Sequence, residues 1–383
     1  MLRHRAFIIA FAAAPLLAQD PGADAVSAPG VRKLTFGGQY RLRYEGFFDY
    51  DRDSDTGNTT DFFGQRVRFD AKFELSDDLS GFVQLQDARV WGEEAWASVG
   101  AVGTDDSADG FDLHQGYIDI AKTPGLGGST RLGRFEVSLG DQRLVGALDW
   151  ATGARALDGV LHTWALKDAA LHAFYFHANE APAGANPSTT DQSDDALFGG
   201  FYYARKFADG VDGEVYLMHL HADINSLLGG TGAGGNINVS TIGTRWDIKA
   251  TDDLSFNVEV ASQTGELAGA DIPFGDTYAA HLGGTWAFGG DLNPRLTVAI
   301  DAASGNDPST PDNERFTGLF PTGHKHWGMM DLASWSNLMN PWIRLQLAPC
   351  GMSDVSLTFL NFSAMESSDT FGGPRGTLSA GGT

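Results

Sequence analysis

Residues 132–150, LGRFEVSLGDQRLVGALDW, put Arg134 and Glu136 on the polar side of an alternating run, then continue with Gly140, Asp141, Gln142 and Arg143. Phe135, Val137 and Leu139 occupy the opposite, apolar side. An arginine fork suits carboxylates, because its fixed N–H donors match two oxygens at once. Three kinds of segment fit this chemistry: a catalytic loop, an ion-paired surface, and the wall of an aqueous pore.

Other reactive patterns are weaker. The chain has 10 His, including His219 and His221 in MHLHAD and His324 and His326 in GHKHWG. Neither pair has the H-E-x-x-H spacing of a zinc enzyme, and neither has an obvious third ligand. No G-x-S-x-G nucleophile motif occurs. Acidic residues are too numerous to single out a glycosidase pair. The run DYDRDSDTGN alternates Asp49, Asp51, Asp53 and Asp55, but lacks the Gly at position six and the Glu at position twelve that a calcium loop needs. It reads as a solvated acidic loop. No cofactor and no metal site are expected.

The elements that must position the charges are strands. Period-two alternation recurs along the chain, as in 65–75, where Val67, Phe69, Ala71, Phe73 and Leu75 oppose Arg66, Arg68, Asp70, Lys72 and Glu74. About fifteen strands follow, near 34–45, 62–75, 79–91, 112–121, 130–139, 155–166, 169–178, 196–207, 211–222, 238–250, 254–264, 276–288, 293–303, 334–348 and 354–364. Very short connections such as 76–78, 167–168 and 251–253 alternate with long Gly-, Asp- and Ser-rich ones. An up-and-down meander with tight turns on one rim and loops on the other gives this asymmetry, which is that of outer-membrane barrels.

Composition agrees. The 383 residues include 49 Gly, 25 Phe and one Cys, with a net charge of −23. That acidity excludes nucleic-acid binding by bulk attraction. A lone Cys350 excludes an internal disulfide. Arg3 and Arg5, an apolar run from Ala6 to Leu17 and a small residue at Ala18 form a secretory leader, so 1–18 is read as signal peptide and 19–33 as a periplasmic leader. After it, no apolar stretch reaches the ~18 residues of a membrane helix, whereas barrel strands need only about 9–11. Residues 34–365 are read as one all-β, transmembrane, up-and-down antiparallel barrel, and 366–383 as a flexible tail or truncated external loop.

Charges on the polar faces must then look into water, because a lysine or arginine facing mid-bilayer lipid costs about 2–4 kcal/mol. Arg41, Arg43, Arg66, Arg68, Lys72, Arg89, Arg131, Arg134, Arg143 and Arg155 all lie in the first half of the chain. Neighbours in sequence are neighbours in a meander, so these side chains should share one wall. They would form a cationic track for an anionic solute, an ion-pair network with Glu45, Asp70, Glu74 and Glu136, or both together.

The segment around 133–146 resembles the alginate export family of outer-membrane β-barrels. Gly133, Arg134, Glu136, Gly140, Asp141, Gln142, Arg143, Leu144 and Gly146 match its GRQ-E-L-x-Y-GDQR-L-x-G pattern, with Phe135 and Leu139 as departures. VQLQDARVWG (83–92), DLHQGYIDI (112–120) and LFPTGHKHWGMMDLASWSNL (319–338) are also similar to it. The resemblance implies a monomeric outer-membrane channel of about 18 strands, not an enzyme, that passes a polyuronate through an arginine-rich constriction. By position it makes Arg43, Arg66, Arg68, Arg89, Arg134 and Arg143 pore candidates, with Asp87, Asp119 and Glu136 as acidic partners. Arg41 joins them from its place on the same polar face. The partners expected are an anionic polysaccharide or other anionic solute and outer-membrane lipid.

Two further expectations follow. Family barrels close with an aromatic-ended strand, whereas this chain ends TFGGPRGTLSAGGT, so about three strands are expected to be missing by truncation. The competing reading is a secreted all-β protein that binds or degrades polysaccharide, with its polar faces outside. Phe135, Val137 and Leu139 are expected to face lipid, with Gly140 breaking the alternation so that 140–150 leaves the wall.

Overall fold

The computed structural model describes residues 11–12, 30–48, 59–91, 110–178, 196–223, 236–329, 333–350, 353–373 and 376–379. The acidic loop 49–58 and nearly all of the signal and leader segments lie outside them. Among the described residues, sixteen antiparallel strands follow one another up and down with almost no helix. The described residues form two compact units, one of 1–138 with 145–161 and one of 139–144 with 162–383.

The first unit contains β1 (Lys33–Phe48), β2 (Thr59–Glu74), β3 (Leu79–Trp91), β4 (Gly110–Ile120) and β5 (Ser129–Phe135). Each pairs antiparallel with the next. The register sets Arg41 opposite Arg66 and Gln39 opposite Arg68, then Arg68 opposite Gln86. Between β3 and β4 the pairing slips: Gln84 faces Gln115 and Leu85 faces Leu113, leaving His114 as the extra residue of a bulge. Bulges re-aim a side chain in this way.

Burial along β2 is the inverse of a soluble strand. Arg66 and Arg68 are 0% and 8% exposed, whereas Val67 and Phe69 between them are 37% and 54% exposed. A soluble sheet would hide the phenylalanine and hydrate the arginines. This sheet hides its charges on one face and presents a continuous apolar surface on the other.

The strand β6 (Leu157–Ala165) comes next in the chain. The second unit contains β7 (Ala169–His177), β8 (Leu197–Ala208), β9 (Val211–Asp223), β10 (Asn236–Lys249), β11 (Leu254–Leu267), the short β12 (Ala270–Ile272), β13 (Tyr278–Ala287), β14 (Arg295–Ala303), β15 (Leu338–Cys350) and β16 (Ser353–Leu360). A single row of polar side chains crosses it, because the register places Glu214 opposite Arg245, Arg245 opposite Glu259, Glu259 opposite His281, His281 opposite Asp301 and Asp301 opposite Asn340. The intervening positions Val215, Val260, Leu282 and Ile300 are exposed. Tight turns close the short rim; at 251–253 the Thr251 hydroxyl accepts from the Asp253 and Leu254 amides at 3.3 and 3.0 Å.

All fifteen strands expected from alternation are present in order; the sixteenth, the short β12, falls where a loop over 265–275 was expected, and there are three further differences. The strand expected over 130–139 stops at Phe135. Phe135 and Val137 are 1% and 6% exposed, so they do not join the outer apolar face. Phe135 instead packs edge-on against Tyr117 at 5.9 Å. Third, the short helix α1 (His324–Trp327) and, within the expected flexible tail, the hairpin of β17 (Thr370–Gly373) and β18 (Gly376–Ser379) add elements that alternation did not signal.

Gly133 shows how closely β4 and β5 approach. Its φ is +130°, and a Cβ there would run into the carbonyl oxygen of Gly116. Gly133→Val is expected to destabilise the fold by about 1–3 kcal/mol, read as a lower unfolding temperature in detergent, while Gly318→Ala, at an open loop position without positive φ, changes it far less.

Candidate functional site

After β5 the chain leaves the sheet at Gly140, where φ is +52° and a side chain would press on the Tyr202 hydroxyl and the Glu214 carboxylate. Only glycine adopts this conformation in so little space. Gln142, Leu148 and Ala154 also have positive φ, so the segment up to Arg155 is tightly folded. Its residues 145–161 belong to the first unit and 139–144 to the second.

In the first unit the segment 149–153 lies against the arginines of β1 and β2. Arg41 donates to the carbonyl oxygens of Asp149 at 2.6 Å and Ala151 at 2.8 Å. Arg43 donates to the Trp150 carbonyl at 2.5 Å and to Glu45 at 2.6 Å, and its guanidinium stacks 4.3 Å from the centre of the Trp150 ring. Arg66 donates to Gln39 at 2.7 Å and to the Asp149 carboxylate at 2.8 Å. Arg68 contacts Gln86 at 2.7 Å, the His114 ring at 2.9 Å and Glu136 at 3.1 Å. Gln86 in turn donates to the Gly153 carbonyl at 2.7 Å. Facing arginines repel; carbonyl lone pairs and the three carboxylates of Glu45, Asp149 and Glu136 offset that repulsion.

The remaining expected site residues divide into separate pairs. Arg89 and Asp87 form an exposed ion pair at 2.6 Å, Arg131 and Asp119 a part-buried one at 2.8 Å, and Arg134 meets Asp158 at 2.7 Å. Thus Arg41, Arg43, Arg66, Arg68 and Glu136 converge, while Arg89, Asp87, Asp119 and Arg134 stand apart from them. His219, weighed for metal, bonds Ser240 at 3.0 Å. No group of three His, Cys, Asp or Glu suited to a metal occurs among the described residues.

In the second unit Arg143 is 3% exposed and reaches Asp141 at 3.0 Å, Glu259 at 3.3 Å and Asp301 at 3.6 Å. It therefore enters the polar row in mid-strand. Asp301 also meets His281 at 2.7 Å and accepts from the Trp342 indole at 2.8 Å. A second segment fastens 139–144 from above: Phe320 N–H donates to the Leu144 carbonyl at 2.8 Å, Thr322 N–H to the Gln142 carbonyl at 3.0 Å, and Lys325 meets Asp141 at 2.5 Å. Beside them is a polar cavity of about 640 Å³ lined by Asp141, Arg143, His281, Lys325, Trp342 and Arg344, among others.

Burial alone would raise the Asp141 carboxyl, but neighbouring positive charge outweighs it and holds the group at about 2. His326 is itself pushed down to about 3, mainly by burial and then by Arg143, so it is neutral at ordinary pH. Arg143 and Lys325 are therefore the cations that hold Asp141 ionised.

Glu259 and Asp301, which meet Arg143, sit on polar strand faces, but alternation alone does not mark them as partners of this segment. His114 and Asp149 carried no signal, since one depends on a bulge and the other on a loop that returns over β1 and β2.

Two outcomes are expected. Arg143→Ala strands Glu259 and Asp301 inside the wall and should cost about 3–5 kcal/mol, seen as a large drop in unfolding temperature; Arg89→Ala, at an exposed pair, should leave it near that of the wild type. A carboxyl depressed in the folded state gives its full stabilisation above its unfolded pKa and loses it progressively as pH falls from there through its folded value, here about 2. Exchange of the Phe320 and Thr322 amides is thus expected to show equal protection at pH 7 and pH 4 after correction for intrinsic rates, and to lose protection in Asp141→Asn at pH 7.

The alginate export family profile matches residues 32–377. No individually curated protein matches the chain. Among solved structures, the outer membrane channel DcaP of Acinetobacter baumannii is similar with a TM-score of 0.46 and 11% identity, covering 86% of this chain and 91% of that one. An anion-selective porin from Comamonas acidovorans gives 0.49 and 12%, covering 91% and 93%. Salmonella typhi OmpF in complex with daunomycin gives 0.42 and 12%, covering 88% and 99%. With the family profile spanning nearly all of the strands, this chain belongs to the alginate export family of outer-membrane β-barrels.

Proposed function

We propose that the protein is a channel for an anionic polysaccharide or oligosaccharide of the alginate type, acting as a monomer and without covalent turnover. Membership of an outer-membrane channel family supports the channel itself. The observation that carries the anionic substrate is the crowding of Arg41, Arg43, Arg66 and Arg68 on two adjacent strands, on the face opposite the exposed apolar residues. In a chain of net charge −23 this is a local reversal of sign. Lumen charges of one sign set the selectivity of a pore, and arginine forks suit the carboxylates of a polyuronate. The secreted alternative is set aside, since a soluble protein would not expose Val67, Phe69, Leu217 and Val298 while hiding its arginines.

Arg41 is the best probe. Unlike Arg43, Arg66 and Arg68 it is only part-buried, and its hydrogen bonds go to main-chain carbonyls, so neutralising it strands no buried carboxylate. In planar bilayers the wild-type channel is expected to prefer chloride over potassium and to be blocked by oligomannuronate. Arg41→Gln should shift the reversal potential toward cations and weaken the block by roughly two-fold or more. A cation-selective wild-type pore that ignores oligomannuronate would overturn the proposal.

A further inference from the structure

The geometry points to a carboxylate-binding subsite at Arg66 and Arg68 that the chain's own Asp149 occupies, so that Asp149 acts as an internal stand-in for a uronate group and sets how readily the polyanion enters. This inference rests on the proposed anionic substrate and names the residue that competes with it.

Three observations carry it. First, the Asp149 carboxylate sits where a ligand carboxylate would: 2.8 Å from Arg66 and 3.7 Å from Arg68, beside Gln39. Second, Asp149 differs from the other acids on this wall. Glu45 is 2% exposed and Glu136 26%, and each is held on or beside a strand, whereas the Asp149 side chain is 61% exposed. Its carboxylate can turn into water, and the buried Arg66 then keeps Gln39 at 2.7 Å and the Asp149 and Ala151 carbonyl oxygens at 3.3 and 3.4 Å. Glu45 and Glu136 are held within the wall and have no such open side.

Third, the side chain can move while the loop stays. The Asp149 carbonyl is held by Arg41 at 2.6 Å, and the next two carbonyls are held by Arg43 and Arg41. Rotation about the Asp149 side-chain bonds breaks none of these. Arg66 keeps Gln39, and Arg68 keeps Gln86 and Glu136, so both forks remain aimed when the carboxylate departs. A polyuronate carries one carboxylate on each sugar and so presents the replacement group. The exchange conserves charge, with one carboxylate leaving the guanidinium pair and another arriving.

The test uses the full-length channel in planar bilayers, with oligomannuronate as the probe and maltohexaose as the neutral control. Asp149→Asn and Asp149→Ala should each lower the oligomannuronate concentration for half-block by about two- to five-fold, the range expected from removing one part-exposed competitor. Both should leave the effect of maltohexaose unchanged. Asp209→Asn, which removes the same charge from an exposed turn, should leave the block as in the wild type. If the wild type responds to oligomannuronate but both Asp149 variants block at the wild-type concentration or higher, the stand-in role is wrong while the anionic channel survives. An equal gain in Asp209→Asn would also overturn it, by showing a general charge effect. If the wild type does not respond at all, the anionic substrate itself fails.

Discussion

The register of β1 and β2 sets Arg41 directly against Arg66, with Arg43 and Arg68 close by. Four like charges in so small an area repel strongly unless something neutral or negative is laid over them. Here the main chain does most of that work. The carbonyls of Asp149, Trp150 and Ala151 take the guanidinium donors. Carbonyls satisfy arginine donors without cancelling their charge, while Glu45, Asp149 and Glu136 pair with Arg43, Arg66 and Arg68. The path of the chain after β5 answers to this requirement: it must leave the sheet at Gly140 and bring 149–151 back over β1 and β2.

The second unit solves the opposite problem. Its polar row carries Glu214, Glu259 and Asp301, with Arg245 and His281 between them. Buried carboxylates need cations, and Arg143 brings one into the row from 139–144. Lys325 adds another beside Asp141. One short segment of chain therefore offers a guanidinium where the strands are acidic, and a few residues later offers carbonyl oxygens where the strands are basic.

These internal demands have an external counterpart. Once charged and polar side chains line one face of most strands, the other face must be apolar for the protein to sit in a bilayer. Exposed Val67, Phe69, Val215, Leu217, Val260 and Leu282 supply that face. Transmembrane sheets satisfy their backbone between strands and leave side chains to divide lipid from water. The same alternation thus sets both membrane placement and the chemistry of the lumen face.

The strand order, the alternation of short and long connections and the apolar outer face were legible in the chain because each depends on residues one or two positions apart. A period of two survives whatever the tertiary context. Family membership was legible for a related reason, since the GDQR segment is local. The partners of the charges were not. Arg41 and Asp149 are 108 residues apart, and the atoms that meet Arg41 are carbonyl oxygens, which every residue has and no sequence pattern marks. Phe135 and Val137 continued the alternation on paper, but the strand ends at Phe135 and the chain turns inward, so both are buried. Sequence alone determined an all-β membrane protein whose strands alternate apolar and polar faces. Only the tertiary structure decided that Arg43, Arg66 and Arg68 lie beneath a returning loop, that Arg143 sits among acids, and that Asp149 remains exposed over two guanidiniums, because those outcomes depend on where a loop lands.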